Sequence, residues 1–378
     1  MANKIDYMNF VADALAKLKQ GQRNLKKINI LIAGKTGVGK STLINTAFRE
    51  NLATTGTGEP VTKTIRLIEK EGLPIRIYDT VGFELDPRDL KQSEKNIKKL
   101  VKKTSKTDDP DDDVHCMWYC VNALGGSFEE AEKGFIDDII KQGIPVIVVL
   151  TKAYSKQSAE ELRADITSRA QAVSDCIPVL AQSDEGVAAF GVSQLVEATC
   201  KIIPEAVQTS FVNAQQGSIA LKRHVARQRV LMYSAATFGE GFVPLPLADA
   251  AMMAPTQTKM ITDITTMYGI DIEKKTLETV IPAVLGVLGA IAGGKSLASS
   301  ILKLIPGVGT AVGGVISGAV GGTITIALGN AYIELMELVI AGKVNLDAIA
   351  PDDLKKLFQG LLADYLQHSP SAQVKKAE

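Results

Sequence analysis

The chain has 378 residues, 22% of them charged and 46% hydrophobic, and 42 basic side chains balance 42 acidic ones. That length exceeds one ordinary domain, and a balanced charge supplies no global field drawing the protein to nucleic acid, so no nucleic-acid partner is expected. Cys116, Cys120, Cys176 and Cys200 form no C-x-x-C pair and, with three scattered histidines, no zinc pattern. Cys116 and Cys120 lie in an apolar run and read as small packing residues. The first residues carry no signal-peptide pattern, and a reducing, cytoplasmic setting is the expectation.

In chain order, Ile5, Met8, Val11, Leu15 and Leu18 share helical spacing, which predicts an amphipathic helix within a segment 1–26. Its apolar face suits docking on the body of the protein, with a membrane surface or a dimer as the sharper alternative. From 27 to 206 strand-like and helix-like stretches alternate. Apolar runs at 28–33, 75–78, 114–121, 145–150 and 177–180 read as strands, and 129–142 and 157–173 read as helices. The alternation predicts an α/β fold, a mostly parallel sheet with helices on both faces, whose ligands sit at the carboxyl ends of the strands.

The first run leads into Gly34, Lys35, Thr36, Gly37, Val38, Gly39, Lys40 and Ser41, and then Thr42 opens a helix. Strand, G-x-x-x-x-G-K-S and helix in succession are a P-loop. Its glycines let backbone N–H groups wrap a phosphate, and the helix adds its positive end. Lys40 is expected at the β- and γ-phosphates and Ser41 on Mg²⁺. Between 54 and 64 lies a Gly/Thr-rich stretch, expected to be a flexible loop. Thr62, with Thr64 as alternative, is expected there as a switch threonine that ligates Mg²⁺ and touches the γ-phosphate. Asp79 ends the run 75–78 and is expected to hold Mg²⁺ through water, and Gly82 to sense the γ-phosphate. The run 145–150 ends in Thr151 and Lys152, and Lys152 is expected to cover the base. Ala181 lies where a loop supplies a further N–H to it.

These motifs, with Pro60 before Thr62, resemble the P-loop GTPases of the Era, septin and dynamin-related group, and the segment 115–122 resembles the bacterial Era-like branch. The resemblance implies a GTPase domain that binds GTP and GDP with Mg²⁺ and hydrolyses GTP. Phe83 after Gly82 cannot orient the attacking water, and a homodimer through such domains is a candidate partnership that would supply that role. Three positions depart from the resemblance. Tyr154 stands where such proteins carry an aspartate that reads guanine, which leaves an ATPase as an alternative. Phe83 follows Gly82 where small switches place a glutamine for the attacking water. Gly37 occupies the position of a potassium-binding asparagine.

Beyond 206 the composition turns to Ala, Leu, Ile and Gly, and an all-α domain is predicted from 207 to 367, followed by a loose polar tail at 368–378. This part is similar to a helical domain of unknown function fused to such GTPases, and the arrangement is similar to immunity-related GTPases. Residues 279–294 and 304–333 carry no charge. The second stretch is long enough to cross a membrane, but a bundle helix buried all round reads the same way. The membrane is therefore a candidate partner, with the protein on its inner face. The sequence predicts a GTP-hydrolysing switch whose state drives the helical domain, with a nucleotide-gated membrane-remodelling or scaffold module as the alternative.

Overall fold

The computed structural model describes residues 16, 25–62, 65–80, 87–104, 112–125, 127–184, 186–239, 254–270, 280, 283–284 and 318–368. The described chain divides into two compact units, one spanning Leu25–Leu221 and one whose described residues lie mainly in 222–368. The amphipathic helix expected at 4–19 and the tail at 369–378 lie outside the described residues.

The first unit is built on a seven-stranded sheet in the order β2-β3-β4-β1-β5-β6-β7. Its strands are β1 (Ile28–Gly34), β2 (Thr57–Thr62), β3 (Ile65–Glu69), β4 (Ile75–Thr80), β5 (Cys116–Asn122), β6 (Val146–Thr151) and β7 (Asp175–Pro178). β1 and β6 are buried at every position, as expected of strands covered on both faces. Parallel pairing joins β4, β1, β5, β6 and β7. Around them lie α1 (Lys40–Ala47), α2 (Pro87–Thr104), α3 (Glu130–Ile140), α4 (Lys156–Arg169), α5 (Val192–Ile202) and α6 (Glu205–Ala214). The chain adds strands on one side of β1 up to β4 and then on the other side from β5. β1 is thus the switch point of the sheet, and its carboxyl end opens into a crevice suited to a ligand.

One expectation is corrected here. Residues 57–62 are not a loop but the edge strand β2, paired antiparallel with β3, which is itself antiparallel to β4. Gly58 and Pro60 argue against a strand in isolation. The edge position makes Pro60 tolerable because one side of the strand needs no partner, and the ladder to β3 shifts register between Pro60 and Thr62.

Helix α6 runs across the boundary expected at 206, and all of it belongs to the first unit. Phe211 meets Phe48 edge to face at 6.2 Å, and Phe48 stacks on Trp118 at 5.5 Å. All three are fully buried. The indole N–H of Trp118, the one tryptophan of the chain, donates to Thr199 Oγ1 at 3.0 Å. Thr199→Val leaves that donor unpaired at nearly constant volume. It is expected to cost about 1–3 kcal/mol, read as a lower midpoint in urea unfolding followed by Trp118 fluorescence.

The four cysteines are free and buried. Burial pushes the thiols of Cys120 and Cys176 up to about 12 and that of Cys200 to about 11, so they pack as neutral groups.

The second unit is helical in its described parts, as predicted: α7 (Ile219–Gly239), α8 (Ala254–Tyr268), α9 (Gly318–Ile340) and α10 (Pro351–His368). The 19 residues Gly322–Ile340 are long and apolar enough to cross a membrane, but 61% of that stretch is buried within protein. Three of its polar side chains have protein partners. Glu337 accepts from Arg223 at 2.7 Å and from Tyr268 at 3.0 Å, Asn330 accepts from Arg227 at 3.1 Å, and the Tyr332 hydroxyl lies 2.8 Å from Thr265 Oγ1. At Gly329 a Cβ would fall 2.5 Å from Val230 Cγ2 and 3.1 Å from Met260 Sδ, so only glycine admits this approach of three helices. Lys222, 2% exposed, donates to the carbonyl of Met267 at 3.0 Å in the last turn of α8, where a cation complements the helix dipole.

Candidate nucleotide site

The loop between β1 and α1 turns at glycines held in the left-handed region, Gly37 at φ 74° and Gly39 at φ 100°. Gly34 has φ 143°, and a Cβ there would lie 2.3 Å from the carbonyl oxygen of Cys120 on the paired strand β5. At Gly37 a Cβ would meet nothing within 4 Å; its glycine serves the backbone conformation alone. Gly39 caps α1 with no side-chain hydrogen bond to the first turn, so the helix N-terminus presents unpaired N–H groups together with the dipole. Thr42 follows Ser41 on α1, and both are exposed.

Lys40 is 9% exposed, and its Nζ donates to the carbonyls of Gly34 at 3.0 Å and Lys35 at 3.3 Å. An ammonium has three protons, so two are spent folding the side chain back along the loop and one is left for a phosphate oxygen. Burial lowers the Lys40 pKa, and the neighbouring Asp79 charge opposes that shift. Lys35 points elsewhere, forming ion pairs with Glu129 at 2.9 Å and Glu132 at 3.6 Å. Glu132 also accepts from the Tyr119 hydroxyl at 2.9 Å, and this ties the loop to α3 and β5.

Asp79 sits on β4 opposite Ile32 of β1. Its Oδ1 is buried and has no hydrogen-bond partner among the described residues, and the same holds for Thr80 Oγ1. A buried carboxylate oxygen left without a donor is costly, and a hydrated divalent cation satisfies it. With the exposed hydroxyl of Ser41 beside the loop, the donor set is all oxygen, which suits Mg²⁺. Thr62 ends β2 opposite Ile65; its side chain lies outside the described residues, as do Thr64, Gly82 and Phe83.

Burial raises the Asp79 pKa, and Lys40 and then Arg66 oppose the shift. From the ordinary value of 3.8 up to the raised one, the folded chain holds a proton that the unfolded chain has released. Stability without ligand therefore falls as pH rises through that window and levels off above it. Asp79→Asn is expected to abolish this fall, measured as melting temperature against pH.

On the other side of the loop, Val38, Gly39, Thr42 and Leu43 form one wall of a cavity of about 370 Å³, and Thr151, Lys152, Tyr154 and residues 179–184 form the rest. Thr151 is fixed by its hydroxyl on the carbonyl of Val121 at 3.1 Å. Lys152 has φ 55°, a strained value for a side-chain-bearing residue, and its Cε lies 4.0 Å from where a Gly39 Cβ would be. Its stem therefore runs over the loop. Ala153 N–H donates to the carbonyl of Val179 at 3.2 Å and so joins the two base-side segments. Ala181 lines the cavity, as do Tyr154 and Asp184, whose side chains are joined by a 2.9 Å hydrogen bond from the tyrosine hydroxyl. Asp184 was not among the residues that sequence motifs singled out, because no motif spaces it from Lys152.

Residues 29–152 match the family described as 50S ribosome-binding GTPase. The chain joins a P-loop GTPase domain to a domain of unknown function. The latter (DUF697) is matched over residues 213–359. Among curated relatives of the GTPase domain, neuronal-specific septin-3 of Rattus norvegicus is 29% identical over 148 residues, covering 33% of this chain and 41% of the septin. Magnetosome membrane protein 22 of Magnetospirillum gryphiswaldense is 30% identical over 113 residues, 30% of this chain and 58% of that protein. The chain thus spans well under two thirds of each. The solved structure of a probable GTP-binding protein engB is 19% identical with a TM-score of 0.35, covering 46% of this chain and 97% of the other.

Proposed function

We propose that the protein hydrolyses GTP to GDP and phosphate with Mg²⁺ and that the nucleotide state alters its helical part. The observation that carries this reading is the buried Asp79 Oδ1, unpartnered among the described residues, beside the buried ammonium of Lys40. Mg²⁺, when bound, neutralises phosphate charge. The chain's own groups are then assigned as follows. The N–H groups of the loop, Gly34 to Thr42, cradle the phosphates. Lys40 donates its remaining proton to them. Ser41, Thr62 and, through water, Asp79 hold the cation. Gly82 reports the γ-phosphate. Lys152 covers the base, and Thr151 and Ala181 support its pocket.

Phe83 has no group that orients water, so the intrinsic rate is expected to be slow. A second copy of the GTPase domain is the proposed stimulant, which predicts turnover per molecule that rises with protein concentration. The apolar helix α9 and the magnetosome membrane relative favour a second reading, in which the helical part acts at the inner face of a membrane. The partners of α9 within the bundle favour peripheral attachment over a bare span. The deciding experiment measures phosphate release from GTP and from ATP by the full chain, with Mg²⁺ and with a chelator. Release from GTP that requires Mg²⁺ supports the reading. Equal use of ATP overturns the guanine assignment, and no release from either overturns hydrolysis.

A further inference from the structure

We infer that Asp184, held by Tyr154, is the carboxylate that selects guanine, in place of an aspartate at position 154. This rests on the guanine-nucleotide reading above. The two residues face each other from separate walls of one cavity. Tyr154 follows Lys152 and Ala153 on the β6 side, and Asp184 lies on the segment after β7.

Asp184 is placed by a closed turn. Its N–H donates to the carbonyl of Val187 at 3.1 Å, and Val187 N–H returns a bond to its carbonyl at 2.8 Å. Ser183 Oγ accepts from Ala189 N–H at 3.0 Å, and Leu180 and Phe190 pair through two 3.0 Å backbone bonds at the base of the loop. The Tyr154 hydroxyl then fixes the carboxylate by donating to Oδ2 at 2.9 Å. A carboxylate offers about four acceptor sites, and Asp184 lines the cavity in which a base would lie.

The chemistry of the base edge follows from this. Guanine presents two donors there, N1–H and the N2 amino group, which a carboxylate accepts together. Adenine presents the lone pair of N1 at the same place, which a carboxylate repels. Charge-assisted bonds are the strong class, and a buried donor left unpaired is where discrimination is lost. Tyr154 is on this account a positioning residue: its hydroxyl holds a carboxylate delivered from the opposite wall.

The test is calorimetric titration of the full chain with GDP, ADP and xanthosine diphosphate. The wild type is expected to prefer GDP over ADP by about 100-fold or more. Asp184→Asn is expected to weaken GDP by about 100-fold while ADP holds or gains. It should also take up xanthosine diphosphate, because an amide N–H can donate to the C2 carbonyl of xanthine. Tyr154→Phe is expected to lower the GDP/ADP ratio by about 10-fold, since it frees the carboxylate without removing it. Asp184 is exposed, so a melting temperature near that of the wild type is expected for its variant. If Asp184→Asn does not melt cooperatively, the Tyr154→Phe ratio decides. An unchanged GDP/ADP ratio in a folded variant overturns the assignment, as does a wild type that binds the two nucleotides equally. A wild type that binds neither overturns the nucleotide reading itself, a distinct result.

Discussion

Lys40→Ala is expected to weaken GDP and GTP by at least about 50-fold while the fold is kept. A hydrogen bond to a charged group contributes about 1.5–3 kcal/mol, and each 1.4 kcal/mol is a factor of ten. Lys40 adds to that a full charge in a setting where only 9% of its surface meets water, so its attraction for phosphate is less screened than at a surface. The fold should survive because burial already disfavours the ammonium, and its removal relieves that cost. The opposing loss is two bonds to the carbonyls of Gly34 and Lys35. Calorimetric titration of both nucleotides beside a thermal melt separates the two effects. Affinity within a factor of three of the wild type would show that the phosphates do not lie in the loop.

The second large effect is structural. Gly191→Ala is expected to destabilise the GTPase domain by more than about 3 kcal/mol. Gly191 has φ 88°, where an alanine is strained by about 1–2 kcal/mol. Its Cβ would lie 2.1 Å from the carbonyl oxygen of Pro178 and 2.9 Å from Val179 Cα, both backbone atoms that no rotamer change can move. Relief requires parting the end of β7 from the start of α5, and with it the loop that carries Asp184. For a unit of this size each kcal/mol lowers the melting temperature by about 2–4 °C, so a fall of about 6–12 °C is expected. Weaker guanine binding should accompany it, because the distorted element forms the base side of the cavity. A melting temperature within 2 °C of the wild type would count against this packing.

The residues that make these predictions were unequally legible in the sequence. The glycine loop, Lys40 and Ser41 could be read directly, because phosphate binding needs fixed residue types at fixed spacing on one continuous segment. Asp79 was legible because it ends an apolar run. β2 was not, since its identity comes from the ladder to β3 and not from its own Gly- and Pro-containing composition. Asp184 was hidden for a related reason. Its link to Tyr154 spans thirty positions of sequence, and an acidic residue in a polar loop has no periodicity to mark it. The polar partners of α9 were equally invisible: an uncharged stretch reads the same whether lipid or other helices cover it, and Arg223, Arg227 and Tyr268 come from distant helices.

The short segment after α6 carries a consequence for how the chain can be taken apart. Arg49 donates to the carbonyl of Asn213 at 3.0 Å and to its side chain at 2.8 Å, and Gln216 returns bonds to the carbonyls of Ala47 at 2.8 Å and Asn45 at 2.9 Å. The match to the helical family begins at 213, whereas the compact unit around the sheet ends at Leu221. Heredity and folding therefore place the joint differently. A swap made at the family border would hand a foreign GTPase a clasp shaped for the end of this α1 and leave this α1 without its own. Shuffled chimeras should keep their cooperativity only when the graft point lies beyond that clasp.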